Sequence, residues 1–168
     1  VGYVPVPLAP EAEITDEQSR DLWQYGRYFG KELRTANDLE EPRIVLVGRP
    51  GTGKTQTLRQ LARESTEAAI YLRLGATSPP DGNEAPADVF VSWAEHAEAL
   101  QNNVPKLTKD GLRGGQYLFL LDGLDEVRVG WRSVIIHTLE QLSLDFPQHR
   151  WIISTRRVPE LGQAMLDG

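Results

Sequence analysis

The chain has 168 residues, 40% hydrophobic and 25% charged, which suits one ordinary domain able to bury a sizeable core. Its formal net charge of −6 argues against a general nucleic-acid-binding surface, because such surfaces rest on clustered Lys and Arg. The lack of cysteine excludes disulfides, a zinc–thiolate cluster and a thiol nucleophile, and no apolar run approaches the ~18 residues of a membrane span.

The start at Val1-Gly2-Tyr3, with neither an initiator Met nor a charged-then-apolar leader, reads as a cytoplasmic segment of a longer protein. Pro5, Pro7 and Pro10 make residues 1–10 extended. A capping box of Thr15 and Gln18 opens a predicted helix with Leu22, Tyr25, Phe29 and Leu33 on one face. Its aromatic stripe reads as core packing rather than a base-stacking platform. Residues 37–42 break that helix, and Ile44-Val45-Leu46-Val47 follows as a buried strand. After a glycine-rich loop, Thr57–Ala62 continues with helical spacing. Ala69–Leu74 is a second strand, Gly75–Ala87 a loop, and Val89–Leu100 a helix. A polar, glycine-bearing stretch over 104–115 precedes Tyr117–Leu121, an apolar run suited to a central parallel strand. Trp131, Ile135, Leu139 and Leu142 mark a helix face, Trp151–Thr155 a further strand, and Val158–Leu166 the start of another helix. Strands alternating with helices predict an α/β three-layer fold with a parallel sheet. Residues 1–41 form its N-terminal extension and residues 42–168 its core.

The chemistry centres on Gly48-Arg49-Pro50-Gly51-Thr52-Gly53-Lys54-Thr55, which completes the pattern G-x-x-x-x-G-K-[ST] between a strand and a helix. Such a loop turns several backbone N–H groups inward as an anion nest at a positive helix end. Lys54 can reach the β- and γ-phosphates of a nucleotide, the Thr55 hydroxyl can ligate Mg2+, and Gln56 completes the candidate phosphate-binding set. The strand ending in Asp122 supplies the carboxylate that Mg2+ needs. Beyond Gly123, Asp125 and Glu126 read either as acids able to polarise an attacking water or as a solvated turn. Arg156 emerges at the carboxyl edge of a strand, where a guanidinium can sense a γ-phosphate. The alternative, a surface arginine paired with an acid, fits Arg157 better. His96 and His137 fall in predicted helices and His149 in a turn, each simplest as a surface or packing residue.

The runs GRPGTGKT, LFLLDGLDEV and WIISTRR, in this order and spacing, resemble a NACHT domain of the signal-transduction ATPases with numerous domains (STAND). The middle run discriminates. Most P-loop ATPases of the additional-strand class place Glu directly after the metal-binding Asp, whereas NACHT domains place a small residue there, as Gly123 is, and acids further on. The resemblance implies Mg2+ contact for Thr55 and Asp122, a water-positioning role for Glu126 and a phosphate-sensing role for Arg156. Tyr3-Val4-Pro5-Val6-Pro7-Leu8 resembles the segment that lies near the adenine, which brings Tyr3 and Val4 into the candidate nucleotide site. It also implies a P-loop sandwich in which Trp151–Thr155 inserts between the strand feeding the loop and the strand ending in Asp122. Family members continue into a helical domain and a winged-helix domain, which the resemblance does not reach.

By the same resemblance, the chain is expected to act as a nucleotide-driven switch. An ADP state rests, exchange for ATP permits self-association of the parent protein, and slow hydrolysis resets it. Sensor and effector domains lie outside the chain, and such parents serve antiphage defence in bacteria or innate immunity in animals. Adenine over guanine follows from the resemblance, supported by the absence of an N-K-x-D motif. Two rivals stand: a motor or metabolic P-loop ATPase, against which Gly123 speaks, and a non-hydrolysing module that uses nucleotide as structural glue.

Overall fold

Four apolar runs rich in β-branched and aromatic residues pair into one sheet, since backbone ladders satisfy their peptide groups while both faces are covered. The computed structural model describes residues 42–48, 50–80, 84–101 and 106–156. In chain order these form β1 (Arg43–Val47), α1 (Lys54–Glu64), β2 (Ala68–Arg73), α2 (Pro86–Ala94), α3 (Lys109–Gly114), β3 (Tyr117–Asp122), α4 (Val129–Asp145) and β4 (Arg150–Thr155). Short 3-10 turns follow β2 (Leu74–Ala76) and β3 (Leu124–Glu126). Among the described residues the strands pair with one another in parallel, in the order β1-β4-β3-β2. The strand Trp151–Thr155, begun one residue earlier at Arg150, therefore lies between β1 and β3, as expected.

Period-two alternation divides the core between the two faces of the sheet. Leu58, Leu61 and Ala62 of α1 pack on Leu46, Ala69, Tyr71, Leu118, Leu120 and Ile152. The other face, with Leu72, Phe119, Leu121 and Trp151, is covered by α2, α3 and α4. There Phe119 stands 4.5 Å from Trp151 and 4.9 Å from Phe90 between ring centroids. Each such ring removed from water stabilises the fold by about 1.5–3 kcal/mol. Every residue of β3 is buried, as a central strand requires.

The structure departs from the sequence reading, or adds to it, at three places. The helix expected over Val89–Leu100 is Pro86–Ala94: proline starts it, and beyond it the Glu98 N–H donates to the Tyr71 carbonyl at 3.1 Å. Pairing with β2 overrides a helix-permissive sequence, and His96 lies outside any helix. The polar stretch before β3 contains α3, whose Thr108 cap accepts from the Gly111 N–H at 3.0 Å while Leu112 is buried. Leu74 leaves the strand for the 3-10 turn. The expected N-terminal segment and helix and the helix from Val158 lie outside the described residues. Among the described residues no helix is long and apolar enough to cross a membrane.

Candidate functional site

Between β1 and α1 the backbone turns through Gly51 at φ +79° and Gly53 at φ +92°, a left-handed conformation that glycine adopts without a side-chain clash. The Gly48 N–H donates to the Thr155 carbonyl at 3.2 Å, which ties the start of the loop to β4. The loop then folds back so closely that a Cβ on Gly48 would stand 2.6 Å from Thr52 Oγ1. Lys54 bends over this curl and its Nζ donates to the Gly48 carbonyl. Burial lowers the Lys54 pKa and Arg156 acts in the same direction, against Asp125, Asp122 and Glu126. These four charged groups and Lys54 thus share one electrostatic neighbourhood.

Asp122, at the end of β3, is 6% exposed, and both its oxygens accept hydrogen bonds. Thr55 Oγ1 donates to Oδ2 at 2.7 Å, as does the Tyr71 hydroxyl at 2.8 Å. Ser154 Oγ donates to Oδ1 at 2.5 Å and itself accepts the Gly123 N–H at 2.8 Å. Strand alternation explains the grouping, for Tyr71, Asp122 and Ser154 fall in phase with Leu120 and Ile152 on the α1 face.

The chain leaves Asp122 through Gly123, again left-handed at φ +78°. Asp125, its side chain only 11% exposed, takes the Arg156 Nε at 2.6 Å on Oδ2. It is therefore not a solvated turn residue, and Arg156 is paired with an acid. The Asp125 carbonyl accepts from Arg132 Nη2 at 2.5 Å, and the Val127 carbonyl from Arg132 Nε at 2.9 Å, so one arginine braces the turn. Glu126 is half exposed, 3.7 Å from Arg73 Nη2, and packs over Gly75 and Gly123.

The candidate residues Gly48, Gly51, Gly53, Lys54, Thr55, Asp122, Asp125, Glu126 and Arg156 thus meet at the carboxyl edge of the sheet. Pro50, Thr52 and Gln56 line the loop and first turn as exposed residues. Arg49, Tyr3, Val4 and Arg157 lie outside the described residues. Sequence reading missed Tyr71, Arg73, Arg132 and Ser154 as parts of the site. For Tyr71 the available signal was a phenol in an otherwise apolar run, two residues before the strand ends.

Hydroxyl and carboxylate oxygens suit Mg2+, a hard cation. Among the described residues no group of three His, Cys, Asp or Glu could hold a metal alone. Thr55 and Asp122 fit the way Mg2+ is usually held, through one or two protein oxygens with phosphate and water completing the shell. No protein-family model matches the chain, and no curated protein matches it either.

Proposed function

We propose that this chain is the nucleotide-binding domain of a NACHT-like switch protein, taking ADP and ATP with Mg2+ and hydrolysing ATP slowly. The observation that carries this reading is the hydrogen bond from Thr55 to Asp122, which joins a glycine-rich, lysine-bearing loop to the end of β3. The loop N–H groups and Lys54 would hold the phosphates, and Thr55 and Asp122 would hold Mg2+. Bound Mg2+ would neutralise charge developing on the phosphates. Glu126 would orient water, and Arg156 would read the γ-phosphate. In the parent protein, ATP in place of ADP would permit self-association, with sensor and effector functions carried by other domains. The fold supports this reading as far as a parallel sheet with β4 between β1 and β3.

Calorimetric titration with ADP and ATP in Mg2+ tests it. Lys54→Ala should cost at least about tenfold in affinity, ~1.4 kcal/mol, and equal affinities would defeat the site assignment. A second reading, binding without hydrolysis, is favoured by the ion pairs of both downstream acids, Asp125 with Arg156 and Glu126 with Arg73. A turnover assay on the nucleotide-bound protein separates the two.

A further inference from the structure

Tyr71 belongs to none of the motif runs, yet its hydroxyl ends on the carboxylate at the centre of the site. Wholly buried on the α1 face, it shares Asp122 Oδ2 with Thr55 while Ser154 holds Oδ1. A carboxylate swings about its Cβ–Cγ bond unless both oxygens are held. On the Oδ2 side the Thr55 hydroxyl is also the group that Mg2+ would engage, so Tyr71 is the donor with no other duty.

Tyr71 is itself fixed from two sides. Its carbonyl accepts the Glu98 N–H at 3.1 Å. Its ring lies 5.5 Å from the Arg59 guanidinium, which reaches both oxygens of Glu98 at 2.7 and 2.9 Å. A phenol keeps its proton at neutral pH, so the hydroxyl serves Asp122 as a donor.

We infer that Tyr71 is a positioning residue that holds the Asp122 carboxylate in the orientation in which it serves Mg2+ with Thr55. The inference rests on the nucleotide-binding reading above. Partners of this kind around metal ligands usually matter by 10–100-fold in metal affinity. The test titrates the 168-residue chain and its Tyr71→Phe variant with ADP, once in MgCl2 and once in EDTA. The expected result is unchanged affinity in EDTA and a loss of about tenfold in the gain that Mg2+ confers. Arg59→Ala leaves the hydroxyl in place and should keep most of that gain. An Arg59→Ala loss as large as that of Tyr71→Phe would overturn the role of the hydroxyl. So would a Tyr71→Phe chain that fails to fold, or one that binds ADP equally weakened with and without metal, since either makes Tyr71 a structural residue. Wild-type binding that gains from Mg2+, with an undiminished gain in Tyr71→Phe, would overturn this inference alone. A wild-type chain without Mg2+-dependent binding would overturn the proposed function and this inference with it.

Discussion

Replacing Arg156 by alanine removes a guanidinium that is half exposed and held 2.6 Å from Asp125. A charge-assisted contact to a γ-phosphate is worth about 1.5–3 kcal/mol. To make it, the side chain must leave or share Asp125, and a pair with one partner so exposed holds it by about 0–1 kcal/mol. On the proposed reading, the preference for ATP over ADP supplied by Arg156 would then be about 0.5–3 kcal/mol, or roughly two- to 150-fold. Arg156→Ala should shift the ATP/ADP affinity ratio toward ADP by that factor. Asp125→Asn removes the competing carboxylate and should shift the ratio toward ATP, by up to about fivefold. It also strengthens both nucleotides by deleting a nearby negative charge, so the ratio carries the test. Paired titrations with ADP and a non-hydrolysable ATP analogue measure it. A shift of the same sign in both variants, or none in Arg156→Ala, would refute the reasoning and leave Arg156 as the neutralising partner of Asp125.

Glu126→Gln should retain nucleotide and slow turnover by about 10²-fold, the scale of a lost general base. Turnover lost instead in Asp125→Asn, with Glu126→Gln unchanged, would move the role to the neighbouring acid. His149, buried among the rings of Tyr117, Phe119, Phe146 and Trp151, should make stability fall in acid. Its Nδ1 accepts the Tyr117 N–H at 3.3 Å, so Nε2 carries the proton donated to the Leu112 carbonyl 2.9 Å away. Burial lowers its pKa from 6.5, so as pH falls through that value the unfolded chain takes a proton that the folded chain resists. The contribution is full above about pH 6.5 and declines below it by at most about 1.4 kcal/mol per unit. Urea unfolding at pH 7.5 and 5.5 should show a smaller difference in His149→Gln than in the parent, and equal differences would remove His149 from the acid response.

The sheet was legible because parallel strands covered on both faces leave an unmistakable trace: the run from Tyr117 to Leu121 has no charged member and every residue of β3 is buried. The glycine-rich loop was legible for a different reason, since glycines at positive φ and a helix start are local requirements written in adjacent residues. Tertiary competition was not legible. Nothing local in Glu95–Leu100 says that Glu98 will pair with β2 rather than extend α2, and nothing near Leu112 says that Gln148 and His149 will use its carbonyl. The support of Asp122 was hidden in the same way, for Tyr71 lies 51 residues before it and Ser154 lies 32 after.

Gly123 joins the local and the distant parts of the site. A side chain there would be strained by φ +78°, and its Cβ would stand 3.0 Å from Glu126 Cδ. Gly75, from the turn after β2, closes on Glu126 in the same way, with its would-be Cβ 3.1 Å from Glu126 Cβ. An acid directly after Asp122 would therefore be strained and would press on the half-exposed Glu126 side chain, which would have to shift slightly. Glycine at this position thus lets the turn form without strain and leaves Glu126 where it stands. That acid, close enough to Lys54 to act on its charge, is also within 3.7 Å of Arg73 on the neighbouring strand. Any role of Glu126 in orienting water consequently depends on β2 as well as on the motif that follows β3.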